Sequence, residues 1–320
     1  MFDVVVVMDP IGSIKIAKDS TFAMLLEAQR RGHRLWYVLP GGLWVRDGRA
    51  GATAAPLEVR DTYGNHFKLG DTSQFELGVG HVVLMRTDPP VDTDYLNDTQ
   101  VLGLAQTAGA LVVNDPQGLR DLNEKLGSLE FPQCCPPSLV SRDAAALKAF
   151  VAEVGQAVVK PLDGMGGRSI FRVAAGEPNV NVILETITAN GRHFAVAQKY
   201  LPEIAQGDKR ILLVDGEPID YCLARIPQGD EFRGNLAAGG RGEGRPLSER
   251  DRWIAAQVGP EMRRRGMVFV GLDVIGDWLT EVNVTSPTCI RELDAQFGIN
   301  IAGTLFDAIE RRAAVAFAKR

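Results

Sequence analysis

Apolar and polar positions follow two rhythms along the chain, one in each part. Residues 4–8 are a short apolar run rich in valine, the pattern of a buried strand. Phe22, Leu25 and Leu26 then recur at helical spacing while Glu27, Arg30 and Arg31 take polar positions. This predicts a helix over 21–31, capped by Asp19 or Ser20 and stopped by Gly32. Further strands are expected at 34–39, 81–85 and 110–113, with a helix over 94–108 stopped by Gly109. Strand and helix in turn predict a doubly wound parallel sheet, an α/β domain over 1–121. Ligands of such sheets sit at the carboxyl ends of strands, where Asp9 and Arg86 fall. Residues 42–80 carry the least information.

Near Pro116 the rhythm changes. A helix is expected over 117–129, carrying Asp121, Glu124 and Lys125, then a proline-punctuated connector over 131–137 and a helix over 142–153. Strand-like segments follow at 157–160, 168–173, 194–198, 210–214 and 219–226, the pattern of hairpins with flanking helices. This predicts an α+β domain over 122–320 with a central lobe at about 122–200 and a C-terminal lobe at about 201–320. Residues 227–246 hold six glycines together with Arg233, Arg241 and Arg245. Loops this long are uncommon in compact domains. Three arginines among hinge-permitting glycines favour a lid over an anionic substrate, against the plainer reading of a surface connector.

Composition narrows the class. The 320 residues are 45% hydrophobic and 23% charged, as in ordinary globular proteins. No apolar run approaches the roughly 20 residues of a membrane span. The net charge of −5 gives no global attraction to nucleic acid. Asp3 and the lack of a basic residue before the first apolar run argue against a secretory signal. Four cysteines show no zinc spacing and four histidines no HExxH, so a cytoplasmic protein without disulfides is expected.

The strongest chemical signal is Leu272-Asp273-Val274-Ile275-Gly276-Asp277-Trp278-Leu279-Thr280-Glu281-Val282-Asn283. Read as a hairpin with its apolar residues on one face, it pairs 272 with 282 and 273 with 281, which demands an odd-length turn or a bulge. Asp273, Glu281 and Asn283 then converge on one polar face, a hard-oxygen set suited to Mg²⁺. A merely solvated face is the competing reading. Lys160 ends an apolar strand and is followed by Asp163-Gly164-Met165-Gly166-Gly167, a tip that lets backbone N–H groups approach phosphate oxygens. No lysine follows a glycine and only Gly12 follows the first strand, so the Walker A and Rossmann phosphate loops are both excluded. Gln198-Lys199-Tyr200-Leu201-Pro202 could present main-chain groups to an adenine edge. In Gly207-Asp208-Lys209-Arg210, Asp208 and Arg210 share a strand face, where Arg210 could stabilise a phosphoryl group in transfer.

This ordered set resembles the prokaryotic glutathione synthase family of the ATP-grasp superfamily. The likeness runs along nearly the whole chain, through LMRTDPP, the NEK around Lys125, CLARIPQGDEFRGNLAAGGRG and EVNVTSPTCIRE. The resemblance implies ligation of γ-glutamylcysteine and glycine through an acyl phosphate, with ATP consumed and Mg²⁺ (Mn²⁺ as an alternative) required. It implies that Lys125 and Lys160 bind phosphates under Gly164, Gly166 and Gly167, that Gln198, Lys199, Tyr200 and Leu201 frame adenine beside Asp208, and that Asp273, Glu281 and Asn283 hold the metal. Arg210, with Arg233 or Arg241, would steady the acyl phosphate. Arg86, Arg225, Ser286 and Thr288 would meet substrate carboxylates, and homo-oligomers are expected. Two rivals remain at this point: another ATP-grasp carboxylate–amine ligase, and a non-catalytic ATP-binding module.

Overall fold

A computed structural model describes residues 1–164, 166–236 and 239–318. Three sheets organise them. The first is built on β1 (Asp3–Val7), β2 (Arg34–Val38), β3 (Leu43–Arg46), β4 (Arg49–Val59), β5 (Phe67–Leu69), β6 (Ser73–Glu76), β7 (His81–Met85) and β8 (Leu111–Val113). Its parallel core runs β2-β1-β7-β8, and β4 joins β2 antiparallel. The four strands β3 to β6 lie in the stretch that gave no sequence signal. β4 alternates small apolar residues such as Ala50, Ala52 and Ala54 with few large ones, so its apolar pattern is faint.

The valines of β1 show how the sheet is covered. Val5 and Val7 pack with Tyr95, Leu102 and Ala105 of α2 (Thr93–Thr107). Val4 and Val6 pack with Phe22 and Leu25 of α1 (Ser20–Arg30) and with Leu305, Phe306 and Ile309 of α8 (Ile301–Ala318). α1 starts where expected, because the Asp19 side chain accepts from the Phe22 N–H at 2.6 Å.

The helix expected over 117–129 is a correction. α3 (Pro116–Asp121) ends after six residues, and Leu122 is extended. The Asn123 side chain accepts from the N–H groups of Lys125 (3.0 Å) and Leu126 (3.1 Å), a local turn that competes with the helix ladder. Short 3₁₀ turns at Gly127–Glu130 and Pro132–Cys134 carry the chain onward.

The second sheet is antiparallel in the order β11-β10-β12-β9, from β9 (Ser138–Ser141), β10 (Gln156–Pro161), β11 (Phe171–Ala174) and β12 (Ala195–Lys199). α4 (Ala144–Val154) and α5 (Val180–Ile187) cover one face. The third sheet, order β15-β14-β13-β16-β17, comprises β13 (Asp208–Val214), β14 (Glu217–Ile226), β15 (Arg241–Pro246), β16 (Phe269–Ile275) and β17 (Trp278–Asn283). α6 (Glu249–Arg264) packs on one face; α7 (Ile290–Phe297) and α8 pack on the other. The glycine-rich segment expected to be a loop as far as residue 246 ends at residue 240. Beyond it β15 pairs with β14, and Gly244 fits because any Cβ would strike the Phe297 ring at 2.4 Å. Ala237 and Ala238 of that segment lie outside the described residues.

Candidate active site

The three sheets face one pocket, and the hairpin β16–β17 forms its floor. Asp273 pairs with Glu281 and Leu272 with Val282, in the expected register. The ladder shifts between Asp273 and Val274, leaving Thr280 as the extra residue of a bulge. That bulge turns Asp273, Glu281 and Asn283 toward the pocket while Leu272, Val274 and Val282 stay in the core. The Thr280 hydroxyl donates to the Asp273 carbonyl at 3.1 Å and holds the irregularity in place.

Opposite lies the second sheet. Lys160, at the end of β10, donates to Glu281 Oε1 at 2.9 Å, and Lys125 Nζ lies 3.9 Å from the same oxygen. Lys125 also donates to the Gly164 carbonyl at 2.7 Å, which ties the segment after α3 to the glycine tip. Gly164, Gly166 and Gly167 line the pocket; Met165 lies outside the described residues. Burial would raise the Glu281 carboxyl, but Lys160 and Lys125 outweigh it and hold the group below its ordinary value.

Within the third sheet Arg210 grips Asp273 with two hydrogen bonds, at 2.5 and 3.1 Å, and Arg225 reaches the same carboxylate at 2.8 Å. Arg225 also bonds Asp208 Oδ2 at 2.5 Å, while Asp208 Oδ1 is buried without a partner. Burial pushes the Asp208 carboxyl up to about 6, against the pull of Arg225 and with the help of Asp273. For Asp273 burial acts upward too, but the Arg210 and Arg225 guanidiniums prevail and hold it far below the usual carboxylate range. The stacking is close enough that Gly271 must be glycine, since a Cβ there would lie 2.8 Å from Arg210 Cδ. Two acids and two arginines in contact, all buried, form one ionic network whose desolvation cost is high.

Gln198, Lys199, Tyr200 and Leu201 line the pocket where β12 ends. The N–H groups of Lys199 and Tyr200 are committed to Pro137 O (2.9 Å) and Gln156 O (3.0 Å), so neither is free for a base edge. Arg172 lies 4.3 Å from the Tyr200 ring centroid and backs it. Arg233 lines the pocket and donates to the Gly167 carbonyl at 2.7 Å, bridging the glycine-rich segment and the glycine tip.

Three residues expected to face a ligand stand elsewhere, and one of them, Asp9, is off the pocket wall and accepts from the Asp88 N–H at 2.9 Å. Arg241 is not on the pocket wall; it sits in β15, exposed and paired with Glu243 at 3.1 Å. Arg86 is buried behind the wall, donating to Thr21 Oγ1 and to the Pro287 carbonyl, each at 2.9 Å. Ser286 and Thr288 do line the pocket, and Ser286 donates to Asp88, just beyond β7. Glu124, Arg168, Phe232 and Asn235 line it as well and were not singled out from sequence. Glu124 had a signal, since it precedes Lys125 in NEK, but a lone carboxylate in a predicted helix gave no reason to point inward. Among the described residues seven cationic side chains (Lys125, Lys160, Arg168, Lys199, Arg210, Arg225, Arg233) line the pocket against five acidic ones (Asp88, Glu124, Asp208, Asp273, Glu281), an excess that favours a polyanion.

The model of the prokaryotic glutathione synthetase N-terminal domain matches residues 2–120, and that of the prokaryotic glutathione synthetase ATP-grasp domain matches 124–298. The chain is 76% identical to the glutathione synthetase of Xanthomonas axonopodis pv. citri over 98% of this chain and 99% of that one. It is 55% identical to that of Salmonella typhimurium over 97% of this chain and 98% of that one. The crystal structure of D-cycloserine synthetase DcsG superposes with a TM-score of 0.67 at 17% identity, covering 97% of this chain and 99% of that one. ATP-grasp ligase PsnB, complexed with minimal precursor, Mg and ADP, gives 0.61 at 18%, covering 97% and 98%. At such identities the last two establish the ATP-grasp fold and no more.

Proposed function

The chain belongs to the prokaryotic glutathione synthetase family, and from that premise we propose how its pocket carries out an ATP-dependent ligation. The protein is an ATP-dependent ligase that joins γ-glutamylcysteine to glycine, giving glutathione, ADP and phosphate. An amide forms from a carboxylate only if oxide is replaced by a better leaving group, and phosphorylation by ATP provides it. Carboxylate and γ-phosphate repel one another, so cations must converge where they meet. The observation that carries this reading is the facing of Lys125 and Lys160 on one lobe against Asp273, Glu281 and Asn283 on the other, with Lys160 and Glu281 2.9 Å apart.

In this reading Lys125 and Lys160 bind the β- and γ-phosphates, and Gly164, Gly166 and Gly167 cover them. Gln198 to Leu201 frame the adenine. Arg210 steadies the acyl phosphate with Arg233, whose place on the wall favours it over Arg241. Arg225, Ser286 and Thr288 meet substrate carboxylates. Asp273, Glu281 and Asn283 fit magnesium, because two carboxylates and an amide offer hard oxygens and the triphosphate can complete the shell. When bound, that ion would lower the charge repulsion between carboxylate and γ-phosphate. Arginine and lysine now neutralise both carboxylates, and the same cations can turn to phosphate oxygens. Acyl phosphates hydrolyse readily, so the contact of Arg233 with Gly167 is read as part of a closing lid that excludes water.

The two-sided packing of β1 supports a doubly wound N-terminal unit, and the family matches at 2–120 and 124–298 support a boundary near 121. No described helix is long and apolar enough to cross a membrane. A cytoplasmic homo-oligomer acting on small molecules, without nucleic acid, completes the proposal. Purified protein should release ADP only when γ-glutamylcysteine and glycine are both present. Release with another acid and amine pair would point to a different carboxylate–amine ligase, and ATP binding without turnover to a non-catalytic module.

A further inference from the structure

β17 is the outermost strand of its sheet, so the edge that carries Glu281 and Asn283 has no strand beyond it. A segment from the domain junction fills that edge. The Glu124 carbonyl accepts from the Val282 N–H at 2.9 Å, extending the ladder by one bond. Glu124 Oε1 then accepts three more, from Thr285 Oγ1 at 2.9 Å, Val284 N at 3.2 Å and Thr285 N at 3.4 Å. From the other side Asn114 donates to the Val284 carbonyl at 2.7 Å. The residues around Asn283 are therefore fixed by side chains from outside their own sheet. One carboxyl oxygen receiving three donors is a well-satisfied anchor for that backbone. Such an arrangement is what orients ligand oxygens when their own strand cannot.

We propose that Glu124 is a positioning residue for the metal strand, holding Glu281 and Asn283 in their ligating orientation through the backbone of residues 282–285. The inference rests on the metal assignment made above. Glu124 acts through hydrogen bonds to that backbone, so what matters is an acceptor oxygen at Oε1 more than a negative charge in the pocket.

The test uses the full chain and Mn²⁺ as the probe, with bound ion counted by electron paramagnetic resonance in the presence of ADP, beside steady-state kinetics. Glu124→Ala should weaken Mn²⁺ binding about 10-fold or more and lower kcat to a similar degree, the range expected when an outer support of a metal site is lost. KM for γ-glutamylcysteine should change much less than kcat. Glu124→Gln keeps the acceptor oxygen and should recover Mn²⁺ affinity to within about threefold of the parent. Thr285→Val removes one of the three donors while keeping the shape, and should weaken Mn²⁺ about two- to fivefold even if the alanine variant fails to fold. Asn283→Ala is the reference. If it loses Mn²⁺ while Glu124→Ala and Thr285→Val bind like the parent, the positioning role is overturned. A glutamine variant as impaired as the alanine one also overturns it, because charge would then be the operative property. If Asn283→Ala itself binds Mn²⁺ normally, the ligand assignment falls and takes the inference with it.

Discussion

Two ionic clusters in this molecule are built from the same residue types and serve opposite ends. At the α1–α8 contact Glu27 accepts from Arg30, Arg31 and Asn300, while Arg31 reaches Asp307 at 2.8 Å and Glu310 at 3.1 Å. These partners reach water, since Arg30 and Asp307 are exposed and Glu310 is half-buried, although Glu27 at the centre is itself buried. In the pocket Asp208, Arg210, Arg225 and Asp273 are all under a tenth exposed. The first cluster leaves Glu27 low, near 2, chiefly through Arg30, with no orphaned atom among its members. The second leaves one carboxyl driven up, one driven down and an oxygen without a donor. Charges that only join helices stay near solvent, where desolvation is cheap and the return small. Charges buried at high desolvation cost and left partly unsatisfied mark a place where a ligand is expected to complete the network.

Substitutions can sharpen or break this contrast. The largest effect is expected from Arg210→Met, which leaves Asp273 with Arg225 alone; turnover should fall by about 10³-fold or more and stability by about 3 kcal/mol, read by kinetics and denaturant unfolding. Glu281→Gln and Asn283→Ala should nearly abolish turnover with the fold intact, and normal activity in both would remove the metal assignment. Next, Arg233→Ala should cost about 10- to 100-fold in kcat/KM, while Arg241→Ala should stay within about threefold; equal losses would mean that the wall rearranges to admit β15. A smaller signal is expected from pH. Asp208 titrates near 6 in the folded state against an ordinary 3.8, so the native chain holds that proton longer than the unfolded one. Its contribution to stability therefore falls as pH rises from about 4 to 6 and is flat above. Asp208→Asn should lack that slope, so the difference between the parent and variant stabilities should fall as pH rises from about 4 to 6. The least effect belongs to the helix-joining cluster: Glu27→Gln should cost about 1–2 kcal/mol, with kcat unchanged.

What could be read in advance follows the same division. The register of β16 and β17 was legible because keeping Leu272 and Val282 inside forces Asp273 opposite Glu281, and only a bulge reconciles that with the turn. The parallel strands β1, β2, β7 and β8 announced themselves as unbroken apolar runs. β3 to β6 did not, since small and polar residues on an antiparallel edge give no strong period. Helix propensity over 117–129 misled, because the Asn123 side chain closes a turn that no periodicity reports. Arg86 was placed at the right strand end, yet sequence could not say that its guanidinium turns back to Thr21 and Pro287. The contacts of Glu124 span about 160 positions, beyond anything a local pattern encodes.

The packing of α8 against α1 and the even-numbered valines of β1 also bears on synthesis. One face of the first sheet receives its cover from residues 301–318, so a ribosome that has released the N-terminal 120 residues presents Val4, Val6 and Phe22 without Leu305, Phe306 and Ile309. Domains ordinarily fold in the order in which they emerge. Here the unit made first has only α1 over that face until the helix made late arrives, and in that interval the remaining apolar patch is a natural landing place for a chaperone.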